Sequence, residues 1–568
     1  MAHDVVIRNG TVVDGTGAPA FVADVVINDG CITEVGQAAK AGRVEVDARD
    51  RLVTPGFVDV HTHYDAQATW ANHLTPSSSN GVTTVLMGNC GVGFAPVHAH
   101  HHDMLIELME GVEDIPEVVL SEGLPWSWHS FPDYLDTLAA RQFDVDVATQ
   151  VPHAALRLYV MGERGARRET ATAADRAAMA QLAGEGVAAG AFGFATSRLL
   201  QHRTASGEPI PSYGAAEQEL SEIAAAVATT KRGWIQVVAD FGAHQDAEFG
   251  LLRRLAEHSG LPLTLTLLQR SSYPTEWREL LTRIEQANAA GIQMTGQTRG
   301  RPTSTLLGFE LSHNPFSTCP SWQAVGKLPI VERIAALRDP QLRAKLLAEP
   351  VEDEYAQSRA RAWHRIFKLG DPPQYEPTLE ESVAATAQRK KVSPESLAYD
   401  WMMERDGRGI LYRPTTNYAG GNMDAVYEML QHPNTLIGLG DGGAHVGVMC
   451  DATDMTHALT HWTRDRTRGP RLPIEDIVKR LSGANAAAMG LHDRGCIRAG
   501  MRADINVIDY ERLRLHAPQI HYDLPAGGKR LLQRANGYDA TFVAGQQVWA
   551  HGEATGALPG RLLRSKAP

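Results

Sequence analysis

Cysteine is scarce: 568 residues carry only Cys31, Cys90, Cys319, Cys450 and Cys496, an odd number, far apart and without a CxxC pair. That argues against a disulfide framework, and each thiol then needs its own reason. For four of them a small buried or half-buried apolar side chain is the expected reading. Dense basic runs are missing too, and the formal charge of −12 is spread along the chain. Nothing here traces a phosphate backbone, so nucleic acid is not an expected partner. No stretch approaches the ~20 apolar residues of a membrane span. The opening MAHDVVIRNGTVVDG has no basic segment followed by a long apolar run, as a secretory leader would. The expectation is a soluble, cytoplasmic protein without membrane partners, acting on a small molecule and associating as a homo-oligomer.

What is present is a globular composition, 43% hydrophobic and 21% charged, with apolar material for a large core. The first fifty residues read as short strands, DVVIRNGTVVDG, ADVVINDGCITEVG and VEVDA, alternating apolar and polar residues around Asn-Gly and Asp-Gly turns. ADINVID and ATFVAGQQVWAHGE at the far end offer partners, so 1–55 and 491–568 are expected to form one small β-sandwich domain. Between them, over 56–490, apolar runs alternate with Ala/Leu/Glu-rich helical stretches. Eight such runs are GFVDVHTH, TTVLMGNC, DVATQVPH, GAFGFATS, GWIQVVAD, LPLTLTLLQ, GIQMTGQT and NTLIGLGD. This is the pattern of parallel βα units, and the expected fold is α/β, a (β/α)₈ TIM-like barrel. Residues from about 300 to 434 are too many for one helix and its loops. They read as a helical insertion, with VERIAALRDPQLRAKLLAE periodic and Ser393-Pro394 a helix start.

Side chains two apart on a strand point the same way, so His61 and His63, at the end of GFVDVHTH, converge. Two imidazoles so placed can chelate one metal ion. Asp441 ends the eighth run, between glycines that let the backbone pass close to a ligand. A closed barrel sets its first and eighth strands side by side, which brings Asp441 to the histidines. A carboxylate there can bind metal and take a proton from water. Cys90 closes the second run, where a thiolate would be a strong ligand.

VTPGFVDVHTHYDAQ, GVTTVLMGNCGVGFAP, IGLGDGGAH, ADINVID and TGALPGRLLR together resemble the amidohydrolase superfamily, and within it the N-acyl-D-amino-acid deacylase (D-aminoacylase) branch. The likeness spans nearly the whole chain. GNCG is its specific mark, since that branch uses a Cys ligand where many relatives use a carboxylated Lys, and GAFGFATSRLL holds no Lys. The resemblance implies a metal-dependent hydrolase of a non-peptide C–N bond, the amide of an N-acyl (D-)amino acid. It implies a divalent metal, usually zinc, at His61, His63, Cys90 and Asp441, with Asp441 as general base and then acid.

The chain departs from that branch in one respect: WIQVVADF and LTLTLLQR carry no His where the branch has metal-binding histidines on its fifth and sixth strands. Gln236, Asp240 and Gln269 are the nearest polar residues. One ion is therefore the expectation, and two, completed by Gln269 and His153, the alternative. A hydrolase of a cyclic amide, urea, lactone or ester, and a non-catalytic binding protein on the same scaffold, are the competing readings. Around the expected barrel mouth, His153, Arg198, Gln269, Arg270, Arg299, Arg301, Tyr64 and His445 are candidates for substrate contact. An Arg would pair with the substrate carboxylate, and Tyr418 and Trp126 would supply apolar walls. His98, His100, His101 and His102 read as a solvated loop.

Overall fold

The structure is a computed structural model that describes residues 2–350 and 360–566. All eight apolar runs contribute parallel strands: Phe57–Asp59, Val82–Met87, Asp146–Thr149 with Val151–Pro152, Gly193–Arg198, Trp234–Ala239, Leu263–Thr266, Met294–Thr298 and Thr435–Ile437. They are short and buried on both faces, Val82–Met87 at every position, as expected of strands covered by crossover helices. Their ladders form two sheets rather than one closed ring. The first three strands make one, and Val151–Pro152 through Thr435–Ile437 make a six-stranded second. Two further backbone bonds join the segments after the first and last strands. Asp441 N donates to His61 O at 3.0 Å, and His63 N to Gly442 O at 2.8 Å.

The termini meet as the alternation indicated, but hydrogen bonding joins their strands into a single nine-stranded sheet where two facing sheets were expected. Leu52–Pro55 pairs antiparallel with Ile505–Ile508, with Val53 opposite Val507. Val5, Ile7, Val25, Ile27, Val507 and Phe542 bury the apolar face.

The stretch expected as a helical insertion has its own core, around Phe309, Phe316, Trp322 and Tyr399. Its helices include Ile330–Leu337, Pro340–Ala348 and Pro394–Gly407. Ser393 caps the last, accepting from Ser396 N at 3.1 Å. It is not purely helical, since Ser304–Leu307, Phe367–Lys368 and Leu411–Pro414 form an antiparallel sheet. Strands of two to four residues are too short for periodicity to reveal. Among the described residues, no helix is long and apolar enough to cross a membrane.

Candidate metal centre

His61 and His63 follow the first strand and are both buried. His61 N donates to Asp59 Oδ1 at 3.1 Å, and its Nδ1 lies 2.7 Å from Gln297 Oε1 on the seventh strand. Cys90 and Asp441 both take left-handed backbone conformations, at φ 55° and 48°. Non-glycine residues pay about 1–3 kcal/mol for such strain, which persists where the surroundings impose it and clusters at functional sites. The neighbouring glycines are required sterically: a Cβ on Gly440 would stand 2.0 Å from Asp59 Oδ2, and one on Gly442 2.5 Å from Ser77 Oγ. Gln236, from the fifth strand, accepts the Cys90 N–H at 2.9 Å and fixes the turn that presents the thiol.

His61 Nε2 faces Cys90 Sγ at 3.4 Å and Asp441 Oδ1 at 3.6 Å, and His63 Nε2 faces the same Asp441 oxygen at 3.8 Å. Among the described residues, His61, His63 and Cys90 are the one group of three or more metal-ligating side chains with donor atoms within 4.8 Å. Asp441 is not part of that tight group but lies beside both imidazoles. Zinc bound tetrahedrally at about 2.0–2.3 Å would separate its donors by roughly 3.3–3.6 Å, close to these spacings. Imidazole, thiolate and carboxylate are zinc donors, and buried polar atoms left without a hydrogen bond, His63 Nδ1, Gln297 Nε2 and Asp59 Oδ2, surround them. These residues fit a divalent metal.

Burial pushes the Cys90 thiol well above its usual range, helped by Glu113, Asp441 and Asp65. Burial also lowers His61 and His63, keeping their rings in the neutral form that ligates. For Asp441, burial acts upward, but His61, Arg299, His63 and His445 outweigh it and the carboxyl lies below its ordinary value.

Most of the expected substrate contacts are committed elsewhere. Arg198 makes a two-pronged pair with Glu248 at 2.7 and 2.8 Å, and Arg270 does so with Glu276 at 2.8 and 2.7 Å. Arg301 is buried between Asp451, at 3.3 Å, and the face of Tyr375, at 4.3 Å. Gln269 ties down a loop by accepting from Ala419 N at 3.0 Å. Tyr64 is a core residue whose hydroxyl donates to Ser77 Oγ at 2.8 Å. His153 is fully buried, with Thr196 Oγ1 on one ring nitrogen and Glu219 Oε1 on the other, each at 2.8 Å. These six belong to the walls and supports of the site in this structure. Arg299 and His445 differ. Arg299 Nη1 is 2.9 Å from Asp451 and 3.7 Å from Asp441, and His445 Nε2 is 3.6 Å from Glu113 Oε2, partly open to solvent.

Of the other polar groups singled out, Asp240 accepts from Leu200 N at 2.7 Å. His98 stacks on Tyr159 at 3.9 Å and His102 on Trp126 at 3.8 Å. Tyr418 donates its hydroxyl to Pro377 O.

Three residues were missed. Gln297 is the last residue but one of the seventh run, where a polar strand end was signal enough. His202, on the loop after the fourth strand, is pushed down to about 4 by burial, with His445 and His61 adding to the effect. Its Nδ1 is held by Ser197 Oγ at 2.9 Å. Glu113 gave no sequence signal, because it stands on a helix after a long loop.

The chain matches the model of the amidohydrolase family over residues 44–549. It is 26% identical to D-aminoacylase of Alcaligenes xylosoxydans xylosoxydans, covering 99% of this chain and 98% of that protein. It is also 26% identical to N-acyl-D-aspartate deacylase of the same organism, covering 99% and 95%. A crystal structure of D-aminoacylase, described as defining a novel subset of amidohydrolases, superposes with a TM-score of 0.66 at 25% identity, covering 99% of this chain and 100% of that one. With a family match this long and the donor set in place, the chain belongs to the amidohydrolase family.

Proposed function

We propose that this amidohydrolase removes the acyl group from an N-acyl-D-amino acid by adding water across the C–N bond at a single divalent ion. The observation that carries the reading is the meeting of His61, His63 and Cys90 within 4.8 Å beside Asp441, in a chain similar to D-aminoacylase over 99% of its length. The donor set suits zinc. One ion is favoured over two because the fifth strand supplies Gln236, already bonded to Cys90 N, and neither the fifth nor the sixth strand supplies a His.

When bound, such an ion polarises the amide carbonyl and acidifies the attacking water. Asp441, ionised at neutral pH, takes one proton from that water as its oxygen bonds to the acyl carbon. It then delivers the proton to the nitrogen as the C–N bond breaks, so one carboxylate serves both halves of the reaction. His61, fixed at Nδ1 by Gln297, keeps Nε2 directed at Cys90 and Asp441.

The same reading takes the two parallel sheets as one eight-stranded barrel. In support, the third run serves both sheets, and His61, His63, Asp441 and Gly442 are bonded across the seam between the first and last strands.

The test is metal content per chain together with hydrolysis of N-acyl-D- and N-acyl-L-amino acids, small cyclic amides and esters. One ion and D-selective acyl release, lost with a chelator and restored by zinc, are expected. A fully metallated protein that cleaves none of these would be a binding protein instead.

A further inference from the structure

Glu113 closes the helix His102–Glu113, which reaches the site from the chain after the second strand. Its carboxylate is 1% exposed, and burying such a group costs several kcal/mol unless it is paired. Among the described residues, its ion-pair partners are two histidines and no Lys or Arg. Oε1 lies 3.3 Å from His63 Nδ1, and Oε2 lies 3.6 Å from His445 Nε2. His63 is thereby bracketed, with Glu113 at Nδ1 and Asp441 at Nε2. Neither His63 Nδ1 nor Glu113 Oε2 makes a hydrogen bond among the described residues, and each has a close polar neighbour: Glu113 Oε1 for His63 Nδ1, and His445 Nε2 for Glu113 Oε2.

The helix end also carries the loop that bears His445. Glu113 O accepts from His445 N, and Asp114 Oδ2 accepts from Gly447 N at 3.0 Å and from Ser312 Oγ at 3.2 Å. One short segment therefore touches His63 and His445, two of the histidines around Asp441.

We propose that Glu113 is a positioning residue: its Oε1 accepts a hydrogen bond from His63 Nδ1–H, leaving the Nε2 lone pair to the ion, while Oε2 holds His445 beside Asp441. A ligating imidazole is ordinarily oriented by a carboxylate or carbonyl on its other nitrogen, and loss of that partner costs about 10–100-fold in metal affinity. Gln297 does this for His61 and Glu113 for His63, so each imidazole has its own support. The inference rests on the single-ion reading above.

The test uses the full chain stripped of metal and titrated with Co²⁺ alone, then with Zn²⁺ against a competing chelator. Glu113→Gln is expected to bind one ion about 10–100-fold more weakly than wild type, with an altered cobalt absorption spectrum and an unchanged circular dichroism spectrum. Glu113→Asp is expected to recover part of the loss. A Glu113→Gln protein whose affinity stays within about twofold of wild type, with a superimposable cobalt spectrum, overturns the role of Glu113 and leaves the single-ion reading standing. A wild type that binds no ion overturns that reading itself. Should Glu113→Gln fail to fold, the cobalt spectrum of Glu113→Asp decides, shifted in support or superimposable against.

Discussion

His61 Nδ1 lies 2.7 Å from Gln297 Oε1, and this contact fixes what the other nitrogen can do. A carboxamide oxygen only accepts, so Nδ1 carries the hydrogen and Nε2 presents its lone pair towards Cys90 and Asp441. The seventh strand thereby selects the ligating tautomer of a residue just after the first.

Gln297→Leu removes that acceptor while keeping similar volume. Metal affinity is expected to fall about 10–100-fold, measured by competition with a chelator. Affinity equal to wild type would show that the tautomer needs no such partner.

Metal binding must deprotonate Cys90. Its thiol lies well above the usual range, whereas His61 and His63 are already shifted towards the neutral form. Uptake of one zinc near pH 7 should therefore release about one proton, and affinity should rise roughly tenfold per pH unit below the thiol's metal-free value. Calorimetry in buffers of different ionisation enthalpy counts the proton. In Cys90→Ser the release should disappear; proton release unchanged in that variant would remove Cys90 from the ligand set.

Arg299 is buried between Asp451, at 2.9 Å, and Asp441, at 3.7 Å. Arg299→Met leaves Asp451 without that partner, and breaking a buried pair from one side costs about 3–5 kcal/mol. A lower urea midpoint at constant slope is the expected result. Unchanged stability would mean that Arg301 alone satisfies Asp451.

His153 is held between Thr196 and Glu219, with Arg157 on the same carboxylate at 2.6 Å. His153→Asn should cost about 1–3 kcal/mol of stability and leave KM for an N-acyl amino acid near the wild-type value. A KM raised tenfold or so, with about the wild-type stability, would return His153 to the substrate.

Much of the site was legible because strand chemistry is local. Alternation alone placed His61 and His63 on one face, and the polar ends of the second and eighth runs marked Cys90 and Asp441. What misled was pairing with the helices that follow the strands. Arg198 and Arg270 follow strands as a substrate-binding arginine would, yet Glu248, 50 positions on, and Glu276, at the start of the next helix, claim them. Glu113 was invisible for the converse reason, since its contacts with His63 and His445 span 50 and 332 positions of chain. The nine-stranded terminal sheet was legible in its strands but not in its layering, because alternation reports which face is buried and not what covers it.

Asp441→Asn keeps the shape of the site and removes the proton acceptor. It is expected to lower kcat by about 10²–10⁴-fold or more with the fold intact by circular dichroism. Near-normal turnover would assign the base elsewhere.

X-ray absorption at the zinc edge of the loaded protein tests the account most directly. One ion per chain is expected, with a single sulfur at about 2.3 Å and nitrogen or oxygen donors at about 2.0–2.2 Å. A spectrum without sulfur, or two ions per chain, would contradict a single metal gripped by His61, His63, Cys90 and Asp441.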